Sequence, residues 1–168
     1  MNPPKKVNDM KLLIFAHKLE AQAFPQENIL LCGEGVRNIE RKLPEALSSI
    51  TEIINFGVAG ALNRKLCIGK VYSVGSVKAK NQDVLNFSKG LQVLTVDTPL
   101  LTVNDEKEDL VDMELYAIVR IAINHNIPVK SFKLVSDFVG EPLDLSKIKR
   151  QSLTWSQKLF DHYSKGHA

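Results

Sequence analysis

Hydrophobic residues occur along the chain in short continuous runs, separated by longer stretches in which they recur three or four positions apart. The short runs are rich in Leu, Ile and Val, and each has the length of a buried strand. They lie at residues 11–16, 28–32, 53–56, 69–77, 91–96 and 129–135. The helical spacing predicts amphipathic helices at residues 39–50, 110–125 and 145–163. Strands that alternate with helices predict an α/β fold, with a mixed, largely parallel β-sheet flanked by helices.

The length and composition of the chain indicate one globular domain. It has 168 residues, of which 44% are hydrophobic and 24% are charged. Residues 1–9 are polar and contain a Pro-Pro pair, so we expect a flexible tail there. The domain itself is expected to occupy residues 10–168.

The charge pattern bears on possible partners. The formal net charge is only +3, and the Lys and Arg residues are scattered along the chain. Nucleic-acid-binding domains normally carry clustered basic residues, so no nucleic-acid partner is expected. No apolar run approaches the roughly 18 residues that a membrane span needs, so no membrane association is expected. The early apolar run at residues 12–16 is too short for a signal-peptide core, and we therefore expect a cytoplasmic protein.

The cysteines and histidines do not have the spacing of metal ligands. Cys32 and Cys67 form no CxxC or Cys/His pattern, and we interpret both as small buried residues in a reducing compartment. The histidines are His17, His125, His162 and His167. Neither a metal site nor a cofactor is expected.

Candidate ligand-binding residues follow two of the predicted strands. After the strand at residues 53–56 comes a predicted loop of small residues, which would let a ligand approach the backbone. These residues are Gly57, Val58, Ala59 and Gly60. Ser136 and Asp137 follow the strand at residues 129–135. Because ligands of α/β proteins bind beyond the carboxyl ends of the strands, both groups are expected at one edge of the sheet.

Four segments, in the same order along the chain, resemble the purine nucleoside phosphorylase and nucleosidase superfamily, and most of all its methylthioadenosine/S-adenosylhomocysteine nucleosidases. They are Phe15-Ala16-His17-Lys18-Leu19-Glu20-Ala21, Asn55-Phe56-Gly57-Val58-Ala59-Gly60-Ala61-Leu62 with Ile68-Gly69-Lys70-Val71, Val111-Asp112-Met113-Glu114, and Val135-Ser136-Asp137. Their shared order and their spread along the chain argue against a chance match. The resemblance implies a nucleoside phosphorylase-like fold and cleavage of the N-ribosidic bond of a purine nucleoside.

The resemblance also implies catalytic roles. Such cleavage passes through a sugar cation and a purine that gains negative charge, so the site needs an acid and nearby carboxylates. By resemblance, Asp137 is the acid that protonates the purine at N7, and Glu20 is the base that activates the attacking water. From the residues alone, the alternatives are a helix cap or turn for Asp137 and a solvated glutamate for Glu20.

The sugar-binding residues are likewise implied by the resemblance. Glu114 would accept hydrogen bonds from the ribose hydroxyls, Met113 would pack under the ring, and Asp112 lies beside them. Ser136 and residues 57–60 complete the predicted substrate site. The alternative for Asp112 and Glu114 is that their charge only suits the dipole at the start of the predicted helix, which requires both to be exposed.

The nucleophile is predicted from the phosphate ligands. Phosphorylases of this superfamily carry an arginine at the position of Asn55, and a carboxamide binds phosphate far less well than a guanidinium does. Water is therefore the expected nucleophile. Arg37 could still reach an anion, and the alternative for it is an ordinary surface position. Asp137, where some enzymes for 6-oxopurines have Asn, indicates a 6-aminopurine such as adenine.

The chain also departs from the family. It is shorter than a typical member between residues 77 and 91 and between residues 97 and 111, where the family has pocket loops and aromatic residues that stack on the base. Val58 also replaces a Ser. The alternatives to a nucleosidase are therefore a non-catalytic nucleoside-binding relative, a phosphorylase and a futalosine-type hydrolase. A homodimer is also expected, because nucleosidases of this superfamily commonly pair beside the active site.

Overall fold

The computed structural model describes residues 9–142 and 144–166. The predicted tail, apart from Asp9, lies outside the described residues, and so does His167. In chain order the elements are β1 (Lys11–Phe15), β2 (Ile29–Leu31), α1 (Val36–Ala46), β3 (Glu52–Ala61), β4 (Val71–Ala79), β5 (Leu85–Asn86), β6 (Leu91–Thr95), β7 (Leu110–Asp112), α2 (Leu115–Asn124), β8 (Val129–Phe138) and α3 (Leu145–Lys165). The predicted α/β class is confirmed.

The eight strands form one sheet in the order β2-β1-β3-β7-β6-β4-β5, with β8 paired to both β3 and β4. Parallel pairs outnumber antiparallel pairs by five to three, which confirms a mixed, largely parallel sheet. Since β3 pairs with β8 along its length and with β7 at its end, the strands β3, β8, β4, β6 and β7 form a closed circuit. This circuit surrounds part of the core and brings the ends of distant strands together.

The helices cover the two faces of the sheet. Successive residues of β1 point to opposite faces, so that Ile14 belongs to one apolar cluster and Phe15 to another. The first cluster includes Ile118 of α2 and the buried residues Ile39 and Leu43 of α1. The second includes Trp155 of α3 and several phenylalanine rings. Burial of each such large apolar side chain contributes about 1.5–3 kcal/mol to stability.

The prediction of a glycine-rich loop at residues 57–60 is wrong. These residues lie inside β3, which continues to Ala61. The strand persists because β8 pairs with it through Ala61 and β7 pairs with Gly60 and Ala61. Backbone hydrogen bonds to two neighbours therefore outweigh the low strand propensity of glycine.

The prediction that residues 110–114 open a helix is also wrong. Leu110–Asp112 form the short strand β7 between β3 and β6, and α2 begins only at Leu115. Similarly, β8 does not end at Val135 but continues to Phe138. Strand β5, which follows β4 in the chain, pairs antiparallel with it.

Candidate active site

A pocket of about 510 Å³ opens where the carboxyl ends of β1, β3 and β8 meet the start of α2, a volume within the range of small-molecule sites. Glu20, Glu114 and Asp137 all line this pocket. The other predicted site residues on its wall are Val58, Ala59, Gly60, Asp112, Met113 and Ser136. Gly57 instead borders an adjoining void of about 10 Å³, which shares Glu20 and Glu114 with the pocket.

A β-bulge in β8 directs Asp137 into the pocket. Ala59 pairs with Val135 and Gly60 pairs with Asp137, so Ser136 is an extra residue on the β8 side. The Ser136 hydroxyl lies within hydrogen-bonding distance of Asp137 Oδ1 and 3.3 Å from the carbonyl oxygen of Ala59. Since Asp137 lies within a paired strand, the alternative that it is a helix cap or turn residue is wrong.

Gly60 makes room for this arrangement. A Cβ atom at Gly60 would lie 3.1 Å from Val139 Cγ2, 3.2 Å from Val111 Cγ1 and 3.8 Å from Asp137 Oδ2. A side chain there would therefore press on its neighbours beside the acid.

Glu20 is held by backbone donors from two segments. Its Oε1 accepts a hydrogen bond from the Val58 N–H at 3.1 Å, and its Oε2 accepts one from the His17 N–H at 3.0 Å. A Cβ atom at Gly57 would lie 3.3 Å from Glu20 Oε1, so this glycine leaves space for the carboxylate. Because both oxygens are bonded, the alternative of a freely solvated glutamate is wrong.

Helix α3 fixes the turn that carries Glu20. The buried Ser156 donates a hydrogen bond to the Glu20 carbonyl oxygen at 2.7 Å and accepts one from the Ala23 N–H at 2.9 Å. The position of Glu20 therefore depends on a residue far along the chain.

Glu114 is buried at the start of α2, with 8% of its surface exposed. Its Oε1 accepts a hydrogen bond from the Gly35 N–H at 2.8 Å. Burial raises the pKa of Glu114 to about 7, and the charge of Asp112 adds to the rise. The alternative that Asp112 and Glu114 are exposed residues at a helix start is wrong, since Asp112 is also only 7% exposed.

Both carboxylate oxygens of Asp112 are bonded to other groups of the protein. Its Oδ1 accepts a hydrogen bond from Thr95 Oγ1 at 2.6 Å, and its Oδ2 accepts one from the Leu115 N–H at 3.0 Å. The Lys133 ammonium also lies 3.0 Å from this second oxygen. Asp112 thus borders the pocket while its carboxylate joins β6, β8 and α2.

Lys133 was not identified from the sequence. Its side chain is buried inside the fold, next to the Asp112 carboxylate. Burial alone would lower the pKa of Lys133, but the Asp112 and Glu114 charges outweigh burial and raise it. The burial of Lys133 could have been inferred from the strand at residues 129–135. Alternation along this strand puts Lys133 on the same face as the buried Ser131 and Val135.

Acidic side chains predominate among the charged residues of the pocket wall. Among its described lining residues six are acidic and none is Lys or Arg. The acidic residues are Glu20, Glu34, Asp112, Glu114, Asp137 and Glu141. Arg37 is exposed outside this wall, and Asn55 is buried with its amide oxygen accepting a hydrogen bond from Ser131 at 3.0 Å. Such a wall disfavours a phosphate dianion and suits a cationic transition state.

The remaining wall of the pocket is apolar. It consists mainly of Val96, Pro99, Leu100, Leu101, Val139 and Ile148. None of the described lining residues is Phe, Tyr or Trp. A planar base would therefore pack against aliphatic side chains.

Within residues 9–142 and 144–166, no cluster of three or more His, Cys, Asp or Glu side chains could hold a metal ion. In the same part of the chain, no helix is long and apolar enough to cross a membrane. Both cysteines are free thiols, but the expectation that both are buried is wrong, since Cys67 is exposed. Burial raises the pKa of the Cys32 thiol to about 12, so this thiol is unreactive near neutral pH.

The shifted pKa of Glu114 predicts a pH dependence of stability. The Glu114 carboxyl group binds its proton more tightly in the folded chain than in the unfolded one. Its contribution to the free energy of unfolding is therefore complete below about pH 4.5 and is lost as the pH rises through about 7. The free energy of unfolding of the wild type should therefore fall across this interval, relative to Glu114→Gln, by an amount on the order of 2 kcal/mol. Urea unfolding of both proteins at several pH values measures the difference. A difference that does not change with pH would contradict the assignment.

Comparisons with known proteins identify structures that share this fold. No family model matches the chain, and no curated protein matches it at a significant level. Among solved structures, a substituted form of the MTAN of Chlamydia trachomatis bound to MTA has a TM-score of 0.78 and 28% sequence identity, over 92% of this chain and 97% of that chain. The MTAN of the same organism bound to adenine has a TM-score of 0.76 at the same identity and the same two coverages.

A more distant structure has the same fold. The 5′-methylthioadenosine/S-adenosylhomocysteine nucleosidase of S. pneumoniae, solved with the transition-state inhibitor MT-ImmA, has a TM-score of 0.72 at 16% identity, over 90% of this chain and 96% of that chain. These matching structures are N-glycosyl hydrolases of the nucleoside phosphorylase and nucleosidase superfamily. The resemblance found in the sequence is therefore confirmed, and so is the nucleoside phosphorylase-like fold.

Proposed function

We propose that this chain is a nucleosidase that hydrolyses the N-ribosidic bond of a purine nucleoside of the methylthioadenosine/S-adenosylhomocysteine type. The observation that carries the proposal is the convergence of Glu20, Glu114 and Asp137 on one pocket with an acidic wall. The fold shared with the nucleosidases of C. trachomatis and S. pneumoniae supports it.

In the proposed mechanism, Asp137 donates a proton to N7 of the purine as the bond between the base and C1′ breaks. The bonding electrons stay on the base, whose developing negative charge the proton neutralises. Asp137 suits this step because the bulge directs it into the pocket and the Ser136 hydroxyl orients its carboxyl group.

Two carboxylates act on the sugar in this mechanism. Glu114 accepts hydrogen bonds from the ribose hydroxyls and favours the positive charge that develops on the ring. Glu20 accepts a proton from a water molecule as that water attacks C1′. The backbone donors of Val58 and His17 keep the Glu20 carboxylate in one orientation, which reduces the reorganisation that the step requires.

The acidic wall also favours hydrolysis over phosphorolysis. A phosphorylase must bind a phosphate dianion. Such binding normally requires arginine side chains or backbone N–H groups that do not already donate to carboxylates. The described lining residues offer six acidic side chains and neither Lys nor Arg. Water is neutral and is not repelled by these carboxylates, so water is the expected nucleophile.

A non-catalytic nucleoside-binding protein is the second candidate. It is favoured by the absence of Phe, Tyr and Trp among the described lining residues and by the 79% exposure of Leu101 on the pocket wall. Both features describe a pocket that encloses the base incompletely.

We also propose a homodimer in the cytoplasm. The exposed Leu101 and Leu145 lie beside the pocket mouth, where a partner subunit would cover apolar surface. The two free thiols, one of them exposed, suit a reducing compartment. Sedimentation at micromolar concentration tests the dimer, and a purely monomeric species contradicts it.

The function is tested by incubating the purified protein with purine nucleosides, with and without phosphate, and measuring free base and reducing sugar. We expect adenine and a free sugar to form without phosphate. Base release that requires phosphate would identify a phosphorylase. Binding by calorimetry without any base release would identify the non-catalytic protein.

A further inference from the structure

An ion pair between His17 and Glu34 lies at the mouth of the pocket. His17 Nε2 and Glu34 Oε1 are 2.7 Å apart, and the two side chains are 51% and 62% exposed. Both residues line the pocket, and His17 is the one described lining residue that can carry a positive charge. The proposed hydrolysis of the ribosidic bond assigns no role to this pair.

The loop that carries Glu34 is fixed in place. Gly33 and Gly35 have φ values of +83° and +88°, a region that disfavours residues with a Cβ atom. The Gly33 N–H donates a hydrogen bond to the Ala16 carbonyl oxygen at 3.0 Å, and the Gly35 N–H donates to Glu114 at 2.8 Å. Glu34 is therefore held between the end of β1 and the carboxylate proposed to bind the sugar.

His17 is anchored on the same side of the pocket. Its backbone N–H donates to Glu20 Oε2, so its side chain projects from the residue that positions the proposed base. The ion pair thus lies next to Glu20 and Glu114, whereas Asp137 projects from the bulge of β8.

This placement gives the pair a position relative to a bound nucleoside, if the proposed function holds. The base lies toward Asp137 and the ribose hydroxyls lie on Glu114, so the substituent on C5′ extends toward the mouth. We propose that His17 and Glu34 form the subsite for this substituent, and that they select a group ending in an α-amino acid over a small apolar thioether.

Charge complementarity is the reason for this choice. An α-amino acid group carries an ammonium, which can donate a hydrogen bond to the Glu34 carboxylate, and a carboxylate, which can accept one from a ring N–H of His17. A methylthio group offers neither charge and leaves the ion pair unused. A substituent that carries only negative charge, such as a phosphate, would meet six acidic lining residues.

The experiment compares two nucleosides that share adenine and ribose but differ at C5′. S-adenosylhomocysteine carries the amino acid group, and methylthioadenosine carries the small thioether. The measured quantity is the ratio of their kcat/KM values, in the wild type and in the variants Glu34→Gln and His17→Gln. The ratio is the kcat/KM for S-adenosylhomocysteine divided by the kcat/KM for methylthioadenosine. Because the pair is partly exposed, we expect each variant to lower this ratio by about 3- to 10-fold.

Glu40→Gln is the matched control. Glu40 forms an ion pair with Arg120 on helices α1 and α2, is similarly exposed, and does not line the pocket. This variant should leave the ratio at its wild-type value. A ratio that is the same in the wild type, Glu34→Gln and His17→Gln would overturn the inference, while base release would still support the proposed hydrolysis.

The two proposals can fail separately. If the wild type releases no base from either nucleoside, the proposed hydrolysis fails. The preference for one nucleoside over the other is then measured as the ratio of their Kd values, obtained by calorimetry. A wild-type preference for S-adenosylhomocysteine that both variants reduce still supports the subsite. Equal Kd ratios in all proteins, or no binding of either nucleoside, overturn it.

Discussion

Replacing Asp137 with Asn should lower the rate of base release by about 10²-fold or more, because the amide has no proton of suitable acidity to transfer to the purine. The fold should be preserved. Asn has nearly the same shape, and its amide oxygen can still accept a hydrogen bond from Ser136. The pairing of residue 137 with Gly60 involves only the backbone and is unaffected.

Measuring adenine release and melting temperature on the same Asp137→Asn protein tests this prediction. The matched control is Asp144→Asn at the start of α3, where Asp144 Oδ1 accepts a hydrogen bond from the Lys147 N–H. Asn is an equally good capping residue, so this control should keep both activity and stability. Unchanged base release in Asp137→Asn would end the proposed role of Asp137 as the acid.

Replacing Lys133 with Met should lower the free energy of unfolding by about 3–5 kcal/mol, because it leaves the buried Asp112 carboxylate without its cation. For a chain of this size, the melting temperature should fall by about 10 °C. The other partners of Asp112, Thr95 and the Leu115 N–H, cannot neutralise its charge. Chemical unfolding monitored by circular dichroism measures the loss.

The neighbouring Lys130 provides the control. It lies on the same strand but is 46% exposed and pairs with Glu52 at the surface, so Lys130→Met should cost no more than about 1 kcal/mol. If Lys133→Met does not fold, the double variant Lys133→Met/Asp112→Asn removes the unpaired charge and should recover a folded protein. Equal stability of Lys133→Met and Lys130→Met would show that the buried pair is not structurally important.

The sequence predicted the class of fold and the position of Asp137 near residues 58–60 at one edge of the sheet, because strand runs and short motifs are local patterns. The errors have non-local causes. Residues 57–60 look like a loop, yet β7 and β8 extend the strand through them from far along the chain. The bulge at Ser136 depends on the register between β3 and β8, which local alternation does not reveal.

The buried ion pair escaped prediction for a similar reason. A buried lysine that keeps its charge needs an anionic partner, and Asp112 lies on a different strand. Its burial could have been suspected from alternation, but the identity of the partner required the tertiary structure. The same holds for Ser156, which positions Glu20 from the last helix.

The closed circuit of strands has a consequence for how the chain folds during synthesis. Strand β8 joins β3 to β4, yet it is synthesised after every other strand in the described part of the chain. Until Val129–Phe138 have been made, β3 and β4 each have an edge that lacks its native neighbour. Unpaired edges of this kind recruit other strands and promote aggregation. The nascent chain therefore depends on prompt insertion of β8, and the pocket that contains Asp137 can form only after β8 has been made.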